Sequence, residues 1–145
     1  MMTIWCLAVA LSLASQVTAP KPVLPATPQG RHVQAYLDAF NSGDEQKFLK
    51  AHEDHMTPDV LKKQSPERIS NMFKRMRGDF GTLRVEEVLG ASAKEIRVSV
   101  PTQDGARGVF TFTFEEASPY RISGIDVQVS PGASEPYRGI TGKIT

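Results

Sequence analysis

Sulfur chemistry is scarce in this chain: its 145 residues include one cysteine, Cys6. A single cysteine permits no intrachain disulfide and no cysteine-built metal cluster. An excess of charge of either sign is also lacking. Lys and Arg number 17 against 16 Asp and Glu, a formal net charge of +1, which gives no general attraction to nucleic acid or anionic lipid. The apolar run Ile4–Ala14 holds eleven residues, where a bilayer-spanning helix needs about 20. No Gly-x-Ser-x-Gly elbow occurs, and Gly78-Asp79-Phe80-Gly81 reads as a helix terminator rather than a phosphate loop. At 40% hydrophobic and 23% charged, the remainder is the composition of one folded domain.

What is present begins with an address. The run Ile4–Ala14 has the length of a signal-peptide core, about 7–15 residues, and Val17-Thr18-Ala19 offers small side chains for cleavage after Ala19. Residues 1–5 carry no Lys or Arg, so an uncleaved anchor or a buried N-terminal strand stays open as the other reading. Cleavage near Ala19 implies an exported, periplasmic or secreted, cysteine-free chain, which cannot mispair in an oxidising compartment. Residues 20–29 contain four of the ten prolines and read as a linker. Residues 131–145, rich in Gly and Pro, read as a flexible tail. The expected domain is 30–130.

Within it, Val33, Tyr36, Leu37 and Phe40 recur at i, i+3, i+4 and i+7, the spacing of one helix face. Asn41-Ser42-Gly43 stops that helix, and Asp44 caps a second one carrying Phe48, Leu49, His52 and Met56. Thr57-Pro58 and Ser65-Pro66 each start another helix by the rule of cap followed by proline. The longer has Ile69, Met72, Phe73, Met76 and Phe80 on its apolar side, opposite Arg68, Asn71, Lys74 and Arg75. Lys74-Arg75-Met76-Arg77 reads as a solvated basic face, with an anionic partner as the minor alternative.

After Gly81 the period changes to two. Leu83, Val85 and Val88 begin one strand, with a bulge expected at Glu86-Glu87, and Ile96, Val98 and Val100 mark the next. Phe110, Phe112 and Phe114 mark the third, joined to the second through Gln103-Asp104-Gly105, a hairpin signal. The run Tyr120–Val129 is the fourth, with a bulge expected at Gly124, where the apolar phase slips. The predicted class is α+β: N-terminal helices packed on one face of a four-stranded antiparallel meander.

This order, with the phrase Tyr36-Leu37-Asp38-Ala39-Phe40-Asn41-Ser42-Gly43-Asp44, resembles the nuclear-transport-factor-2-like superfamily. The resemblance implies a cone of helices in a strongly curved sheet. Ser65-Pro66-Glu67-Arg68, Phe80-Gly81-Thr82-Leu83 and Tyr120-Arg121-Ile122-Ser123-Gly124-Ile125 are more narrowly similar to small exported bacterial modules. Some of these stand alone, and others are fused ahead of serine-hydrolase or peptidase domains. The same superfold hosts isomerase-like and cyclase-like enzymes, whose chemistry needs an acid or base facing an apolar cavity.

No carboxylate reads as inward: Asp38 falls off the apolar stripe, and Asp44 and Glu45 serve as cap and dipole partner. His52-Glu53-Asp54-His55 is the dense cluster of possible ligands, with His52 and His55 sharing a helix face. Its spacing matches no helical zinc motif, so no metal and no cofactor are expected, and the imidazoles read first as helix-end residues. The seven phenylalanines fit a core. A pocket between helices and sheet would be lined by Tyr36, Phe40, Phe73, Met76 and Phe112, with Tyr36 as its hydrogen-bond handle. Arg97, Ser99, Thr111 and Thr113 form the polar sheet face, the expected surface for a homodimer or an exported partner enzyme. Two functions follow. One is a non-catalytic exported module binding a small apolar ligand, a peptide or a partner protein; the other is a small cone-fold enzyme with His52 or His55 as base. Neither calls for nucleic acid or for membrane contact beyond the leader.

Overall fold

The computed structural model describes residues 23–130. The expected signal peptide, the first residues of the expected linker and the expected tail lie outside the described residues. Four helices come first: α1 (Pro28–Asn41), α2 (Glu45–His55), α3 (Pro58–Lys63) and α4 (Pro66–Phe80). Four strands follow, β1 (Glu87–Ala91), β2 (Glu95–Pro101), β3 (Arg107–Phe114) and β4 (Ile122–Ser130), paired antiparallel in the order β1-β2-β3-β4. The class is α+β, with helices on one face of a sheet that is not strongly curled. No helix of the described residues is long and apolar enough to cross a membrane.

The helix starts have visible local causes. Thr27 caps α1 through a hydrogen bond from the Gly30 N–H to its hydroxyl at 3.2 Å, and Pro28 occupies a first-turn position whose N–H is not needed. The helix therefore begins before the boundary expected at residue 30. Gln29 is already part of the fold, its amide donating to the Ala93 carbonyl at 3.2 Å. Asp44 accepts from the Gln46 and Lys47 N–H groups and caps α2. Ser65 caps α4 through the Arg68 N–H, and a Ser70 hydroxyl donating to the Glu45 carboxylate ties α4 to α2.

The core is aromatic. Tyr36, Phe40, Phe48, Phe73 and Phe112 meet with ring centroids 5.1–5.6 Å apart, mostly tilted or edge-on, the arrangement favoured by the ring quadrupole. Ile96, Val98, Val100 and Phe110 complete the floor, all fully buried. Each such side chain contributes about 1.5–3 kcal/mol by leaving water.

Two details of the sheet depart from the alternation pattern. Residues 83–86 are not in a strand, although Leu83 is buried in the core as expected. At Leu83 the partner is Asn41, whose side chain accepts from the Leu83 N–H at 2.7 Å and donates to the Leu83 carbonyl at 3.0 Å, while the Glu86 N–H already donates to the Ser99 carbonyl of β2 at 2.8 Å. Both Leu83 backbone groups are thereby taken up by α1 rather than by a neighbouring strand. The irregularity expected at Glu86-Glu87 falls instead between Val88 and Gly90. At the other edge the register slips between Thr113 and Phe114, which pair with Gly124 and Ile122, so Ser123 is the extra residue, beside the expected Gly124. Gly105 turns the β2–β3 hairpin at φ 87°.

A single parallel bridge joins Met56 to Ile122, with the Thr57 N–H donating to the Ile122 carbonyl at 3.0 Å. This bridge pins the α2–α3 junction to the start of β4. It leaves a gap between α3, α4 and the inner face of β4.

Candidate functional site

That gap is a cavity of about 420 Å³, within the size range of small-molecule sites. Its apolar walls come from Met56, from Val60 of α3, from Met72 and Met76 of α4, and from Ile125 and Val127 of β4. The strand wall exists because β4 is an edge strand whose apolar side is incompletely covered: Ile125 is half-buried and Val129 is exposed.

Among the polar side chains that line this space, with Asn71 and Ser123 exposed at its edge, three are wholly or partly buried: His52, Tyr36 and Gln64. His52 is fully buried on the last turns of α2, edge-on to Phe48 with centroids 4.5 Å apart. Its Nδ1 lies 2.9 Å from the Phe48 carbonyl, which can only accept, so Nδ1 carries the proton and Nε2 is a bare lone pair. That Nε2 is buried and finds no hydrogen-bond partner among the described residues. Burial pushes the imidazole pKa down, opposed in part by the bond to Phe48, so His52 is neutral at pH 7. Tyr36 packs 5.6 Å from the His52 ring, and burial raises its phenol pKa, keeping it protonated. Gln64, between α3 and α4, presents a buried Oε1 that is also unpartnered among the described residues. An unmade hydrogen bond at a buried polar atom costs about 1–3 kcal/mol.

The rim is basic. Lys63, Arg68 and Arg75 line it, with Asp79 as the one carboxylate. The ion pairs among the described residues, Lys50–Asp54 at 3.4 Å and Arg84–Glu86 at 3.8 Å, lie elsewhere. Arg68, Met72, Arg75 and Asp79 follow one another at helical spacing along the α4 face over the cavity.

The residues singled out from sequence are distributed unevenly. Tyr36 and Met76 line the cavity, as does His52. Phe40, Phe73 and Phe112 do not; they are consumed by the aromatic core described above, because α1, α2 and α4 close over the sheet at that end. His55 also lies outside the cavity. Its Nδ1 meets Nδ1 of His32 at 2.9 Å, and His32 Nε2 donates to the Pro119 carbonyl at 2.8 Å. Burial, and then the charge of His32, hold the His55 pKa below its ordinary value, against a smaller raising effect of Asp54. The two imidazoles one turn apart on α2 therefore serve different places. Among the described residues no group of three or more His, Cys, Asp or Glu side chains could hold a metal ion.

On the outer sheet face, Arg97 and Thr113 are exposed and Thr111 is half-buried, flanked by Glu95 and Asp126 in the strand register. Ser99 differs: it is fully buried, and its Oγ has no partner among the described residues. A residue on the polar phase of a central strand is thus removed from the expected interaction surface.

Lys63 and Gln64 were not among the sequence candidates. Arg68 and Arg75 are expected from sequence on the side of α4 opposite Met72 and Met76, with Arg75 in a basic run whose minor reading is an anionic partner; the cavity brings both arginines beside those methionines. Arg68 and Arg75 stand two turns apart with Met72 between them, a stripe that shares one helix face. The basic run of α4 is in fact split. Arg75 goes to the cavity rim, while Arg77 lies over the Phe40 ring at 5.7 Å, a cation–π contact. Compared with known proteins, the chain matches no family model, no curated protein and no solved structure.

Proposed function

We propose that the protein is an exported, non-catalytic module on a nuclear-transport-factor-2-like scaffold, and that its cavity binds a small lipophilic molecule bearing a hydrogen-bond donor. The order of helices followed by an antiparallel meander supports the scaffold, and the apolar leader supports export. The observation that carries the binding reading is the bare Nε2 of His52, buried and unpartnered in an apolar cavity. A hydroxyl or N–H of a ligand satisfies that lone pair, and the ligand body covers the methionines and the β4 wall. Neutral His52 suits this role, because a lone pair held at low pKa remains an acceptor throughout the neutral range.

The second reading is a proton-transfer enzyme with His52 as base, favoured by the same bare Nε2 close to the Tyr36 ring. Two features weigh against it. A lowered pKa makes a weak base, and Nδ1 is held by a neutral carbonyl rather than a carboxylate able to stabilise an imidazolium. His55, facing His32 outside the cavity, offers no alternative base there.

Calorimetric titration with decanol and with decyl methyl ether, which lacks the donor, tests the binding reading. Decanol is expected to bind about tenfold more tightly, the worth of one hydrogen bond. His52→Leu is expected to erase the difference. Binding of neither compound up to its solubility limit refutes the reading.

A further inference from the structure

Resting on that binding reading, we infer that the ligand is an amphiphilic anion: a lipophilic body carrying its donor at the buried end and an acidic group, such as a carboxylate, at the mouth. The inference comes from the division of the cavity into two chemical zones. The interior is built from Met56, Met72, Met76, Ile125 and Val127 and holds the His52 acceptor. The rim carries Lys63, Arg68 and Arg75 against the single carboxylate of Asp79. All three cations are exposed, and no ion pair among the described residues occupies them. A neutral lipophile leaves this rim charge without a counterpart. A cationic one is repelled by it. An anion meets the rim cations at the protein–water boundary, where a carboxylate keeps part of its hydration.

The placement on α4 supports the same conclusion. Arg68 and Arg75 flank Met72 at successive turns, so one helix face supplies apolar contact and cationic rim together. Their methylene stems extend the apolar wall while the guanidinium groups stay at the water boundary. The near-neutral composition of the whole chain hides this local excess.

The test is a matched calorimetric series at low salt: ω-hydroxydecanoate, decanol and ω-aminodecanol, which share the chain and the hydroxyl and differ in the charge at the other end. The anion is expected to bind about tenfold more tightly than decanol, the sum of a few exposed ion pairs, and the cation more weakly than either. The preference is expected to shrink in about 1 M salt, where screening acts over about 3 Å. The double variant Arg68→Gln/Arg75→Gln is expected to lower the ratio of anion to decanol affinity to about threefold or less, whatever the shorter stems cost both ligands alike. An unchanged urea midpoint of the variant reports an intact fold. Equal binding of all three compounds, or an anion preference untouched by the double variant, overturns the inference and leaves the cavity reading standing. Binding of none overturns both.

Discussion

Replacing His52 with leucine separates a ligand-binding histidine from a structural one, because the two roles predict different stabilities. The wild-type side chain is fully buried with one nitrogen bonded to the Phe48 carbonyl and the other unpartnered. Removing the unpartnered nitrogen relieves a cost of about 1–3 kcal/mol, whereas losing the Phe48 hydrogen bond forfeits about 1 kcal/mol. Losing the edge-on contact to Phe48 forfeits about another 0.5–1.5 kcal/mol. These nearly cancel, so His52→Leu is expected to lie within about 1 kcal/mol of wild type at about pH 7.5. The pH dependence sharpens the test. The folded-state pKa of His52 is lowered from 6.5, so the unfolded chain binds the extra proton and stability is present above that value and lost as pH falls below it. At about pH 5 an imidazole that stays neutral in the fold loses at most about 2 kcal/mol relative to neutral pH. His52→Leu lacks this loss and is expected to be the more stable protein there. Urea denaturation at the two pH values measures both effects. A loss of 2 kcal/mol or more at neutral pH, with an unchanged pH slope, refutes the reasoning.

Three further outcomes are expected. His55→Gln is expected to flatten part of the remaining stability decline below about pH 6.5, because the His55 pKa is also lowered in the fold by burial and by His32; an unchanged pH profile contradicts it. Asn41→Ala strips both backbone partners from Leu83 and is expected to cost about 2 kcal/mol, with faster amide exchange at Leu83; a loss under about 0.5 kcal/mol argues against the tie. Gly108→Ala places a methyl 2.7 Å from the Phe80 ring on the inner sheet face and is expected to cost about 1–3 kcal/mol, readable as a lowered urea midpoint.

Local rules account for much of the fold. Two proline-led starts, the Asp44 cap and the period change after Gly81 made most helices and strands legible, because each depends on residues within one turn or one hairpin. The third such start, Thr27-Pro28, reads as linker in the sequence. The misses share another origin. The stretch 83–86 alternates like a strand, yet Asn41, far away in sequence, takes both backbone groups of Leu83 at its start. Phe40, Phe73 and Phe112 have the side chains of a pocket wall, yet they are taken up by the aromatic core, Phe40 against Phe73 and Phe112 against Tyr36.

By itself the sequence determined the class of the domain, the apolar phases of its helices and most strands, and the bulge region at Ser123-Gly124. Only the tertiary structure decided where the cavity opens, which of two histidines one turn apart faces it, and that His32 meets His55. The physical reason is that periodicity encodes which way a side chain points within its own element. The choice between a filled core and an open cavity depends on how elements pack, here on the Met56–Ile122 bridge that sets α3 and α4 off from the edge strand.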